Sequence, residues 1–167
     1  MALLVSLGKL PGDGRHLCRL LWHLARKFTI GNINIPESDH VLRYCSPIHM
    51  KGERVKPGAF DFRSDEKFLS VNWMEYFGKS MPRDAQVAKI RTAMGKKLTL
   101  KANGRFAKIN VGNVTKRIKN AQVRHVPEFT NPSHAGICAP NEQNRELTLE
   151  LANMVKSGDV FPAVLPK

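Results

Sequence analysis

The sequence predicts an α+β fold: a mostly antiparallel sheet with a central hairpin, flanked by an N-terminal amphipathic helix, a mid-chain helix and a C-terminal helix. Three observations lead there. Short strand-like and helix-like runs interleave without a sustained βαβ rhythm. Asn103-Gly104 lies between two alternating runs, the strongest short hairpin signal in the chain. At 167 residues, with 42% hydrophobic and 25% charged content, the chain has the length and composition of one globular domain plus an appendage. The expected division is an arm over 1–32, a basic α+β domain over 33–158 and an irregular tail over 159–167.

In order along the chain, Leu10-Pro11-Gly12 is a break and Asp13 can cap a helix running to about Phe28. Leu17, Leu20, Leu21, Leu24 and Phe28 form one stripe, while Arg15, Arg19, Arg26 and Lys27 lie off it. Three readings compete for this helix: docking on the body or a partner, lying on a membrane surface with Trp22 at the interface, or serving as a transit peptide. Residues 31–40 read as a linker with an extended piece at Ile33-Asn34-Ile35. Strands are expected over 41–45, 59–62 and 68–73. From Pro82 to Met94, the spacing of Val87, Ile90 and Met94 predicts a helix, with Asp84 suiting its first turn and Gly95 placed to stop it.

Taking Asn103-Gly104 as a type I′ loop pairs Leu100 with Ala107 and Leu98 with Ile109 on one apolar face, leaving Lys101, Phe106 and Lys108 outward. A short helix follows over 113–120, with Val114 and Ile118 inward. Strands at 123–126 and 134–139 come next. A helix from Asn141 then turns Leu147, Leu151, Met154 and Val155 inward, and Gly158 stops it.

The hairpin lies in the most polarised stretch of the chain. Residues 85–127 hold eleven lysines and arginines and no aspartate or glutamate, so they carry eleven of the thirteen net positive charges. A charge of +13 and a pI near 10.1 point to a polyanion, above all nucleic acid, contacted through its phosphates. Lys96, Lys97, Lys101, Arg105, Lys108, Lys116, Arg117 and Lys119 are the candidate binding residues. Phe106 is the only Phe, Tyr or Trp in this window, which argues against an extended base-stacking platform. The other partner reading gives the 13–28 helix to an acidic protein or ribonucleoprotein.

Three cysteines at wide spacing do not make a disulfide framework and suit reduced, cytoplasmic thiols. No apolar run approaches the ~18–20 residues of a membrane span, and residues 1–7 lack the basic start of a secretory signal. No phosphate-binding glycine loop, nucleophile elbow or His-Glu-x-x-His motif is present. Nothing in the sequence specifies a cofactor.

Two constellations can carry chemistry. Cys45-x-x-x-His49 and His134-x-x-x-Cys138 supply four zinc-type ligands if the segments meet, although Pro47 keeps the first pair off one regular helix face. The second is a pocket of Arg43, Ser70, Asn72 and His134. Arg43 sits in an apolar context, where a guanidinium needs an anionic partner or ligand. Ser70 is mid-strand, and His134 lies in a Pro-Ser-His-Ala-Gly segment and can transfer a proton. With Arg43, Ser70 and His134 as catalytic candidates, the alternative function is an enzyme acting on a nucleotide or nucleic acid. The competing structural reading pairs Arg43 with Asp39, Glu53, Asp61 or Asp65.

The spacing of Leu42-Arg43, Ala59-Phe60, Leu69-Ser70-Val71 and Asn131-Pro132-Ser133-His134-Ala135 resembles that of a small uncharacterised bacterial protein family, over about 41–139. The resemblance brings no activity with it. The order of an arginine strand followed by a serine strand is also similar to the ADP-ribosyltransferase class. The glutamate that class uses has no clear counterpart: after Glu75 the next suitable acid is Glu128, beside Pro127.

Overall fold

Residue His40 opens the strand on which the sheet is built, His40–Cys45 (β2), preceded by the short Ile33–Asn34 (β1). The computed structural model describes residues 33–62, 66–139 and 145–165, all within one compact unit, 31–167. The predicted 13–28 helix lies outside the described residues. After a minor ribbon of Met50–Lys51 (β3) and Arg54–Val55 (β4) come Leu69–Trp73 (β5), Arg105–Asn110 (β6), Gln122–His125 (β7), His134–Cys138 (β8) and Val160–Pro162 (β9). Seven strands form one sheet in the order β1-β7-β8-β5-β2-β6-β9, and every neighbouring pair is antiparallel.

Helices cover both faces. Arg83–Gly95 (α1) turns Val87, Ile90 and Met94 onto Leu42 and Phe106. On the other face, Val111–Arg117 (α2) and Arg145–Met154 (α3) bury Val111, Val114, Leu147 and Leu151 against Val41, Val71 and Ile109. Leu42 and Val41 are adjacent on β2, so they point to opposite sides of the sheet. α1 starts where Pro82 breaks the chain and Asp84 suits the helix dipole, close to the expected span. α2 starts earlier than expected because Asn110 Oδ1 accepts from Asn113 N at 3.0 Å and caps it.

Burial on two faces explains the main departure from expectation. β6 is found, but it pairs with β2 (Leu42 opposite Lys108) and β9 (Phe106 opposite Phe161), not with 98–102. Asn103-Gly104 forms no type I′ turn: among the described residues positive φ occurs only at Gly52, Gly78 and Asn120. Phe106, expected outside, is fully buried under α1. The glycine answers a different need. A Cβ at position 104 would lie 2.7 Å from the Tyr44 ring, so the ring's approach excludes a side chain there. A hairpin does join β7 to β8, with Val123 opposite Ile137.

Two smaller corrections follow. The expected strand over 59–62 is a 3₁₀ turn, Pro57–Phe60, started by its proline, and it buries Ala59 and Phe60. Of the expected irregular tail, Val160–Pro162 form β9, which extends the sheet, and Ala163 N donates to Gly104 O at 3.0 Å. Among the described residues, no helix is long and apolar enough to cross a membrane.

Candidate functional site

β2 and β5 pair only at Val41–Trp73 and Leu42–Asn72. On its other edge β5 stays in register with β8 along its length, from Leu69–Ile137 to Asn72–His134. β2 meanwhile follows β6 as far as Cys45. The two central strands therefore part after Leu42. Arg43 bridges the gap: its Nη1 donates to Ser70 O at 2.6 Å and its Nε to Ala59 O at 3.0 Å.

A cleft of about 550 Å³ lies beside this gap, within the usual size of small-molecule sites. Arg43, Ser70, Asn72 and His134 all line it, so the structure brings the second sequence constellation into one place. Lys97 and Leu98, from the segment after α1, form another wall. Lys97 bridges to Glu128 at 2.5 Å, joining two walls of the cleft.

His134 is held with its tautomer assigned. Its Nδ1 lies 2.8 Å from Val126 O, which can only accept, so in the neutral ring the proton sits on Nδ1 and Nε2 is left as an acceptor. Below it, Asn72 Oδ1 accepts from Asn131 Nδ2 at 2.7 Å. Ser133 Oγ lies 3.0 Å from Asn131 Oδ1 and 3.3 Å from Asn72 Oδ1, in reach of either as a donor. All three residues are buried, and their mutual bonds make them a stiff base for the cleft. Asn131 and Ser133 were legible only as loop residues, because their partner Asn72 lies 59 and 61 positions away in sequence.

The four expected metal ligands are not brought together. Cys45 is buried in the core cluster with Val41 and Val71, its Sγ 3.6 Å from Arg43 O. Burial pushes its thiol up to about 12, against the lowering effects of the Arg43 charge and the Ala107 backbone N–H. His134 and Cys138 stand four strand residues apart, roughly 13 Å at the usual rise, too far to share one ion. No group of three or more His, Cys, Asp or Glu among the described residues is placed to hold a metal ion.

The eight candidate phosphate contacts divide between the two sides of the sheet. Lys96, Lys97 and Lys101 continue from the end of α1, and the Lys101 backbone N–H donates to Tyr44 Oη at 3.1 Å. Lys116, Arg117 and Lys119 belong to α2 and the turn after it, across the sheet. Lys116 reaches Glu37 at 3.8 Å, Arg117 reaches Glu150 at 3.1 Å and Lys108 reaches Asp159 at 2.7 Å. Arg105 donates to Gly104 O at 3.0 Å. Lys96, Lys101 and Lys119 are exposed and form no ion pair with a described residue.

Comparison of the chain with protein-family models, curated proteins and solved structures finds no match.

Proposed function

We propose that the protein binds nucleic acid, or another phosphate-bearing polyanion, through the side of the sheet that carries α1. One observation supports this most directly. From 83 to 105 the chain places Arg83, Lys89, Arg91, Lys96, Lys97, Lys101 and Arg105 against the single carboxylate Asp84, and Arg83, Lys89, Lys96, Lys97 and Lys101 are exposed. Exposed cations without carboxylate partners take a phosphate at little cost, whereas a paired lysine must first give up its ion pair. The reading therefore centres on Lys89, Lys96 and Lys101, and leaves Lys108, Lys116 and Arg117 with weaker parts. The contacts are to backbone phosphate, so affinity comes with little sequence preference.

The test is oligonucleotide binding at rising potassium chloride. Three or four phosphate contacts give a slope of roughly −3 to −4 in log affinity against log salt for duplex DNA. The double substitution K96E/K101E is expected to abolish most binding, and K116E/K119E, across the sheet, to change it little. A flat salt dependence, or equal loss from both pairs, rejects the reading.

A further inference from the structure

The cleft beside β5 is chemically unlike the surface next to it. Among the described residues, three carboxylates, Asp61, Glu66 and Glu128, line it against two cations, Arg43 and Lys97, in a chain whose net charge is +13. Both cations are committed elsewhere. Arg43 gives Nε and Nη1 to the carbonyls of Ala59 and Ser70, and Lys97 is bound to Glu128. A phosphate entering here would meet these carboxylates and two cations already engaged in part.

The acceptors are better placed. Asp61 is exposed and makes no hydrogen bond or ion pair with a described residue. A Cβ at Gly58 would lie 3.2 Å from His49 Nδ1 and 3.4 Å from Asp61 Oδ2, so both side chains stand beside the Gly58 backbone where it lines the cleft. His134 adds Nε2, its other ring nitrogen being engaged by Val126 O. Carbon surface accompanies these acceptors: Tyr44 and Phe62 line the cleft, and Leu98 on its wall is 48% exposed.

From this we infer that the cleft binds a compact organic cation, an amine, amidine or guanidine on a short carbon body. The charged head lies at Asp61, and the carbon body lies along Tyr44, Phe62 and Leu98. Charge-assisted hydrogen bonds to a carboxylate supply orientation and strength, and the aromatic faces favour a cation laid against them. The inference stands apart from polyanion binding, which uses the α1 surface, so either can fail without the other.

The test is calorimetric titration of the full chain with agmatine and with spermidine, alongside AMP and inorganic phosphate. Amide NMR shifts locate the bound probe. The expected result is binding of an amine with shifts gathered at Gly58, Asp61 and His134. Asp61→Asn is expected to weaken it about tenfold or more, the loss of one charge-assisted contact. Asp61 is exposed, so this variant keeps the fold. Glu128→Gln, which releases Lys97 into the cleft, is expected to weaken amine binding as well. Failure of both amines to bind, shifts gathered elsewhere, unchanged affinity in Asp61→Asn, or AMP or phosphate taking the cleft in their place would each overturn the inference.

Discussion

Arg43 Nη1 donates to the carbonyl of Ser70 at 2.6 Å, at the level where β2 and β5 have ceased to pair. A side chain thus takes a backbone acceptor that a continuous ladder would have satisfied. Together with the bond to Ala59 O, it ties β2, β5 and the 57–60 turn across the gap that opens the cleft.

Replacing Arg43 with methionine keeps much of the stem's packing and removes both donors. The carbonyls of Ser70 and Ala59 lose charged partners, and a loss of about 2–4 kcal/mol is expected. Lysine, with one compact ammonium, cannot serve both carbonyls and recovers only part of this. Urea unfolding of the three proteins measures it. Equal stability of wild type and Arg43→Met would mean that the gap closes without the guanidinium.

Much of this architecture was legible in sequence, and the errors have a common source. β2, β5, β7, β8, α1 and the inward residues of α3 follow from local apolar runs and periodicity. The hairpin failed because β6 is buried on both faces. Phe106 packs under α1 while Ala107 and Ile109 pack on the opposite side, so an alternation read as inside and outside was inside twice. Arg43, Ser70 and His134 could be named because an arginine among apolar residues and a histidine in a turn are locally unusual. The use made of Arg43 could not be foreseen, since Ser70 and Ala59 become its neighbours only through tertiary contacts.

Two glycines that bracket the lysine-rich segment are expected to respond oppositely to alanine. At Gly104 the added carbon meets the Tyr44 ring at 2.7 Å and its hydroxyl at 2.8 Å, and overpacking of this kind costs about 1–3 kcal/mol. At Gly95, the last residue of α1, nothing lies within 4 Å and φ is not positive, so alanine is expected to stabilise by about 0.5–1 kcal/mol. Thermal or urea melts distinguish the signs. Destabilisation by Gly95→Ala would show that its glycine does terminate the helix, as the sequence alone suggested.

The thiol of Cys45 is expected to be inert in the native protein. With its pKa pushed up to about 12 by burial, almost no thiolate exists near pH 8, and the thiolate is the reacting form. Cys138 is partly exposed and serves as an internal comparison. Brief alkylation with iodoacetamide followed by peptide mass mapping is expected to mark Cys138 and spare Cys45 until denaturant is added. Early modification of Cys45 would contradict the burial on which the core around β2 depends.

Asp39 links the sheet to pH. Burial alone raises the pKa of its carboxyl, but hydrogen bonds from Lys79 Nζ at 2.7 Å, Ser38 Oγ at 2.9 Å and Trp73 Nε1 at 3.0 Å, with the charge of Lys79, outweigh it and hold the pKa below 3.8. As pH falls, the unfolded chain binds this proton before the folded one does. The stabilisation is therefore fully present above the unfolded value of about 4 and is lost as pH drops through the lower folded value. Asp39→Asn is expected to lower stability at pH 7, and the gap from wild type should narrow in acid. Salt is expected to shrink only part of the gap, because Lys79 is largely exposed while Asp39 is buried. Urea unfolding at pH 7, 5, 4 and 3 reads both effects, and a gap that stayed constant across that range would rule out Asp39 as the group responsible.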